Sequence, residues 1–228
     1  QGPLFFGSAD GFSEIFDPAG DPSLVIVDFK NSRIVDQSAL QAIEAMARGK
    51  ARGLPVSAAA AVHNFAMNEV AVGEYRSFAK TAPPLRSEAD RQAVVDGLAD
   101  GTIDVICSCH DPQDVESKRL PFELAATGII GLETMLPLAL ELYHNGALSL
   151  LDLLAKMTSR PAELLGLRGG KLAPGAPADL LIFDPNTPWR IDEDGFHSKS
   201  KNTPYHGRPV QGRVWRTIVA GKMVYSDT

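Results

Sequence analysis

Cys107, Cys109 and His110 are side chains that can bind a metal ion or act as nucleophiles, and they lie close together in the sequence. Thiolates and imidazoles are common zinc ligands, but zinc requires about three or four donors that converge on one point. A Cys–His nucleophilic pair requires a hydrogen bond between the two side chains and a third group that orients the base. The sequence identifies neither the extra donors nor that third group. We therefore favour the interpretation that Ser108, Cys109 and His110 form the small polar end of a strand.

The two cysteines of the sequence, Cys107 and Cys109, are expected to be reduced. We expect Cys107 to point away from the end of the strand that Cys109 faces, so a disulfide between them is not expected. Reduced thiols are the normal state in the cytoplasm, and this cysteine usage favours a cytoplasmic location. We interpret His144, His197 and His206 as structural, because they lie near a helix end or in polar segments.

Charge and hydropathy exclude several classes of function. The net charge is −6 and the pI about 5.4, so electrostatics give no reason to expect binding to nucleic acid or to an anionic membrane. The apolar runs are far shorter than the roughly 20 residues that cross a bilayer. We also expect no secretory signal, since no basic N-terminal region precedes an apolar stretch.

The hydrophobic pattern predicts alternating strands and helices, followed by a region of strands and turns. Strands are predicted at 24–29, 56–61 and 103–107. A helix is predicted to open at 36–40, and further helices at 87–99, 132–144, 150–156 and 159–167. In the tail, the turn residues Ala220 and Gly221 predict a hairpin.

Residues 106–122 resemble the loop that follows the last barrel strand of a class I dihydroorotase, a member of the amidohydrolase superfamily. Framework blocks that begin at Lys118, Gly131 and Ser159 are similar to the same family, and the resemblance covers residues 47–225. It implies an α/β fold: a partial (β/α) barrel of the amidohydrolase type with a C-terminal β-sandwich piece. Active family members hydrolyse or close a cyclic amide in pyrimidine biosynthesis, with one or two zinc ions.

The resemblance also assigns five residues to positions that carry chemistry in that family. Cys109 stands at the position of an Asp that is both metal ligand and proton-transfer base, and Gln113 stands at the position of a His. Ala82 replaces an Asn that helps to hold the substrate ring. His63 belongs to a pair of histidines whose other member is replaced, and His110 matches the loop histidine. The resemblance therefore implies Cys109 at the catalytic position and His63, Ala82, His110 and Gln113 as remnants of substrate binding.

Substitution at these positions beside intact framework blocks predicts a dihydroorotase-like chain that is inactive by itself. We expect no metal-binding residue and no cofactor in this chain, although active relatives bind zinc. The resemblance implies an alternative role as a non-catalytic scaffold partner of aspartate carbamoyltransferase. Because an open partial barrel exposes strand edges and apolar faces, self-association is also expected.

Residues 2–46 resemble part of a STAS domain, which occurs in sulfate-permease-type transporters and anti-sigma-factor antagonists. The resemblance rests on two blocks, beginning at Gly2 and Val27, and implies a β-α-β-α segment with a regulatory or interaction role. Ser38 matches a phosphorylated Ser, but a Ser at a helix start is more often an N-cap, and we predict the cap. The expected domains are 1–46, 47–168 and 169–228.

Overall fold

The computed structural model describes residues 25–26 and 39–227. Most of the predicted STAS-like segment, including the N-cap at Ser38, lies outside the described residues. Within them, no helix combines the length and apolar character needed to cross a bilayer.

Short parallel strands form the part of the sheet that positions the site. Strand β1 (Val25–Ile26) pairs with β2 (Val56–Ser57), and β3 (Ala59–Ala61) pairs with β4 (Val105–Cys107), all in parallel. Only Ala58 separates β2 from β3, and its backbone N–H donates to Asp104 Oδ2 at 2.9 Å instead of continuing the ladder. The predicted strand 56–61 is therefore a single extended segment that is interrupted at Ala58. It lies between β1, the preceding strand, and β4, the following one, as in a (β/α) barrel.

Helices connect these strands, as the sequence predicts. Helix α1 (Ala39–Ala51) lies between β1 and β2 and packs against α3 (Glu88–Asp100), which precedes β4. The short helix α2 (Val62–Ala66) directly follows β3. Helix α3 begins where Ser87 Oγ accepts the Asp90 N–H at 3.2 Å, and it ends at Gly101 with a left-handed backbone (φ 86°).

Further helices cover the region after the last barrel strand: α4 (Val115–Lys118), α5 (Met135–His144), α6 (Leu150–Met157) and α7 (Ser159–Leu164). Helix α5 begins three residues later than the predicted start at 132. The reason is local, because the Gly131 N–H donates to His110 Nδ1 at 3.1 Å and so belongs to the site loop rather than to the helix.

The tail forms an antiparallel sheet in the order β5 (Leu180–Arg190), β6 (Pro209–Val219) and β7 (Lys222–Ser226). Ala220 and Gly221 connect β6 to β7 with positive φ angles of 49° and 76°, which is the backbone of a two-residue hairpin turn. The predicted hairpin is confirmed. The predicted β-sandwich is not, since the described tail residues form this one sheet.

One hydrophobic core joins the barrel units to the tail. Leu138 and Leu140 on α5 are fully buried, and they share a cluster with Tyr205, Ile191 and Val210 of the tail. Helix α5 thus packs against β6 of the tail and against helices α2 and α6 of the preceding region.

Candidate functional site

A cavity of about 400 Å³ lies along the small side chains of Ala58 and β3 and along the end of β4. Alanines at 58–61 line it and leave space because their side chains are short. The loop that contains Ala82 forms a second part of the wall. Cys107, Cys109 and Asp111, at the end of β4 and in the loop after it, form a third.

His63 lies on the wall of this cavity and is almost fully buried. Neither of its ring nitrogens has a hydrogen-bond partner among the described residues. Burial lowers the pKa of the ring from 6.5 to about 4, because a charged imidazole is poorly solvated there. His63 is therefore neutral at physiological pH, and its ring carries one donor and one acceptor that are covered by the surrounding protein.

Cys107 and Cys109 both line the cavity, and their Sγ atoms lie 3.5 Å apart. The expectation that the two thiols point apart was wrong. Residues two positions apart on a strand share a face, and Cys109 adds a bend with a φ of 42°. The Cys107 thiol also donates to the Ala60 carbonyl at 3.5 Å, which holds it against β3.

His110 and Gln113 are held within the loop by other contacts. His110 Nδ1 accepts the N–H of Gly131 at 3.1 Å. Gln113 Nε2 donates to Asp111 Oδ1 at 2.9 Å. Of the five residues that the resemblance selects, the structure therefore brings His63, Ala82 and Cys109 to the cavity, while His110 and Gln113 shape the loop behind it.

Two residues at the site were missed by the sequence interpretation. Asp111 places a carboxylate on the cavity wall two residues after Cys109, and its position in the loop after a predicted strand was an available signal. Asn202 is buried and clamps the same loop: its Nδ2 donates to the carbonyls of Asp111 and Gly128 at 3.0 and 3.1 Å, and its Oδ1 accepts the Gln113 N–H at 3.2 Å. Nothing in the local sequence around Asn202 indicates these contacts.

Two lysines organise the segment that follows the site loop. Lys80 Nζ donates to the carbonyls of Phe122, Glu123 and Ala125 at 2.7–2.9 Å. Lys118 Nζ donates to the carbonyls of Ala126 and Gly128 at 2.9 and 3.0 Å. Burial, with a smaller effect of the Lys80 charge, lowers the pKa of Lys118 to about 8. This contact set gives the Lys118 framework block a structural role.

A zinc ion is the cofactor that the resemblance implies, and the described donors do not fit one. Across residues 25–26 and 39–227, no group of three or more His, Cys, Asp or Glu side chains is arranged to hold a metal ion. His63, Cys109 and Asp111 are donors on one cavity, but they do not form such a group. The described side chains therefore provide no basis for a catalytic step through a metal ion.

The amidohydrolase family profile matches residues 28–224. Together with the parallel strands and connecting helices, this match shows that the chain belongs to the amidohydrolase family. The match includes residues 28–46, so the predicted STAS resemblance of that segment is not supported. Helix α1, which begins in this segment, packs against α3 as neighbouring barrel helices do.

The curated relatives are dihydroorotases, so the chain is dihydroorotase-like in sequence. It is 50% identical to the dihydroorotase of Anaplasma phagocytophilum (strain HZ) over 188 residues, 82% of this chain and 42% of that protein. It is 46% identical to the dihydroorotase of Wolbachia sp. subsp. Drosophila simulans (strain wRi) over 206 residues, 90% of this chain and 47% of that protein. The chain spans about half the length of these relatives.

Solved structures support the same fold. The L-hydantoinase (dihydropyrimidinase) from Arthrobacter aurescens superposes with a TM-score of 0.79 at 30% identity, covering 85% of this chain and 44% of that structure.

Proposed function

We propose that this dihydroorotase-like chain binds a cyclic amide of the dihydropyrimidine type in its cavity and does not hydrolyse it by itself. The observation that carries the proposal is Cys109 on the cavity wall at the end of β4, where the family resemblance implies a carboxylate. The dihydroorotase names of the relatives and the hydantoinase name of the structural neighbour support a ring-shaped amide as ligand.

Cys109 is a poor replacement for the implied carboxylate because its side chain has only one atom that can bind a metal ion or accept a proton. A carboxylate has two oxygens, so one can coordinate a metal ion while the other accepts a proton. A thiolate has one sulfur, which cannot perform both roles at once. The carboxylate of Asp111 lies two residues further along the loop than the implied position, where Gln113 Nε2 donates to its Oδ1 at 2.9 Å.

His63 is a polar residue of the cavity wall that can be matched to a cyclic amide. Its neutral ring carries one N–H donor and one acceptor, and a cyclic amide presents the complementary C=O and N–H groups. Both ring nitrogens are covered by protein atoms, so this pairing requires the ring to turn toward the cavity when the ligand binds. In that position the ring would gain the hydrogen bonds that it lacks among the described residues.

The test combines a binding and a turnover measurement on the purified chain. We expect calorimetry to detect binding of dihydroorotate, and we expect no ring opening or closing after zinc is added. The Ala82→Asn variant should bind dihydroorotate about two- to tenfold more tightly, because one hydrogen bond contributes about 0.5–1.5 kcal/mol.

Ala82→Leu is the matched control, since Leu has nearly the size of Asn but no hydrogen-bonding group. It should not tighten binding. Zinc-dependent turnover that disappears in Cys109→Ser would contradict the proposal of inactivity. Absence of any dihydroorotate binding to the folded chain would contradict the proposed ligand.

A second candidate function is that of a scaffold that binds aspartate carbamoyltransferase or a second copy of this chain. The observation that favours it is a set of exposed apolar side chains in the segment after the site loop. Leu124 and Leu132 are 69% and 61% exposed. Interaction surfaces are contiguous apolar patches, so this candidate requires Leu124 and Leu132 to be covered by the same partner.

A further inference from the structure

We propose that Cys107 and Cys109 form a thiol–disulfide exchange site on the cavity wall, which reacts with small-molecule disulfides and closes to an intramolecular disulfide. The proposal does not depend on the ligand or the inactivity proposed above. It rests on the contact between the two sulfur atoms, on the backbone that holds them and on their place at the cavity.

The geometry brings the two sulfurs close to bonding distance. Their separation is 3.5 Å, and a disulfide bond is about 2.0 Å long. Cys107 is the last residue of β4, and Cys109 lies two residues later with a φ of 42° on the same cavity wall. Rotation of the two side chains can supply the remaining approach of about 1.5 Å.

Close packing fixes the backbone between the two cysteines. A Cβ atom at Gly131 would collide with the carbonyl oxygen of Ser108. The backbone of Ser108, between the two cysteines, is thus packed against Gly131. This packing restricts the backbone that sets the separation of the two sulfurs.

The hydrogen bonds indicate the order of the two chemical steps. The Cys107 thiol donates to the Ala60 carbonyl, and this bond favours the protonated form of Cys107. The thiolate is the reactive form of cysteine. We therefore infer that the Cys109 thiolate attacks one sulfur of a small disulfide, forming a mixed disulfide and releasing one small thiolate.

The second step closes the ring. Cys107 loses its proton to solvent, and its thiolate attacks the Sγ of Cys109. The bond between Cys109 and the small molecule breaks, and the second small thiolate leaves. In total, two protein thiols are oxidised and one small disulfide is reduced to two thiols, so that electrons and protons balance.

The experiment uses the full chain, reduced, with oxidised glutathione as the probe. The chain contains two cysteines, so every disulfide is either the proposed one, an adduct or a link between two copies. We expect intact mass spectrometry to show a loss of about 2 Da without an adduct, since two thiol hydrogens are removed. Cys107→Ser should instead retain one glutathione on Cys109.

Comparing ring closure in the folded and the unfolded chain shows whether the fold, rather than the short sequence separation of the two cysteines, favours the disulfide. We expect the equilibrium constant for ring closure against glutathione to be at least about tenfold larger in native buffer than in concentrated urea. An equal or smaller constant in the folded protein would overturn the proposal. So would stable glutathione adducts on both cysteines of the wild type, or disulfide-linked dimers on a non-reducing gel.

Cys109→Ser provides the matched control for the order of attack. Its single thiol, Cys107, donates to a carbonyl, and we expect it to acquire glutathione at least about tenfold more slowly than Cys109 does in Cys107→Ser. Faster modification of Cys107 would reverse the assigned roles and contradict that part of the inference.

Discussion

His63 is a buried residue whose polar ring makes no hydrogen bond within the described part of the chain. Its ring is almost fully buried, yet neither nitrogen has a partner among the described residues. Buried polar atoms in folded proteins are nearly always hydrogen-bonded, and one left unpaired costs about 1–3 kcal/mol. The ring can regain these hydrogen bonds only if it turns toward a partner in the adjoining cavity.

The lowered pKa of His63 leads to a pH dependence of stability. Between pH 6.5 and about 4, the unfolded chain binds a proton at His63 and the folded chain does not. Stability should therefore fall as the pH decreases through this window, by up to about 3 kcal/mol from this residue. Urea unfolding at pH 7 and pH 4.5 measures the change.

His63→Gln serves as the control because Gln does not titrate. The loss of stability on going from pH 7 to pH 4.5 should be smaller in this variant by about the same amount. An identical pH dependence in wild type and variant would show that His63 is not held neutral in the folded protein.

At the scale of elements, the β6–β7 hairpin places an alanine at a turn position whose backbone favours glycine. Ala220 has a φ of 49°, in the left-handed region that a Cβ atom disfavours. The turn is held by two contacts, because the Ala220 N–H donates to Asp179 Oδ1 at 2.7 Å and the Gly221 N–H donates to the Ala178 carbonyl at 3.0 Å. These bonds tie the hairpin to the start of β5.

We expect Ala220→Gly to raise the free energy of unfolding by about 1 kcal/mol, since Gly adopts this backbone without steric cost. The neighbouring change Gly221→Ala should lower it by about 1 kcal/mol or more, because the φ there is 76°. Urea unfolding of both variants checks the opposite signs. A loss of stability in Ala220→Gly would show that the left-handed backbone is not strained.

The sequence predicted the elements well and the contacts between distant segments poorly. Helix α3 and the hairpin at Ala220 lie within one or two residues of their predicted positions, because caps and turn residues are local signals. The spacing of two was a signal for the cysteine pair that was misjudged, whereas the left-handed backbone of Cys109 just after β4 had no signal in the sequence. The clamp at Asn202 was not predictable, since it joins residues 74 to 91 positions apart.

At the scale of the whole molecule, barrel and tail are joined by polar as well as apolar contacts. Arg208 of the tail donates to the Ala66 carbonyl at 3.0 Å and to Glu141 Oε2 at 2.8 Å. The apolar surface left uncovered by this arrangement includes Leu124 and Leu132. The proposed self-association would bury these side chains.

We expect the molar mass measured by light scattering to rise with protein concentration. The double variant Leu124→Ser/Leu132→Ser should shift this rise to higher concentration, because burial of each leucine contributes about 1.5–3 kcal/mol. Leu172→Ser is the control, at a leucine that is 87% exposed in another segment. A monomer at all concentrations would contradict self-association, and equal effects of all variants would contradict the assigned surface.

The amide of Asn202 connects the carbonyls of Asp111 and Gly128 from a distant part of the chain. A chimera of two related proteins with its crossover point between residues 128 and 202 would therefore combine the loop of one parent with the clamp of the other. All three partners of Asn202 are backbone groups, so such a hybrid should keep an ordered cavity only if one parent supplies Asn at 202 and the other supplies a loop of the same conformation. The region around the C-terminal sheet is thus needed for an ordered cavity. Shortened or recombined versions of the chain should keep Asn202.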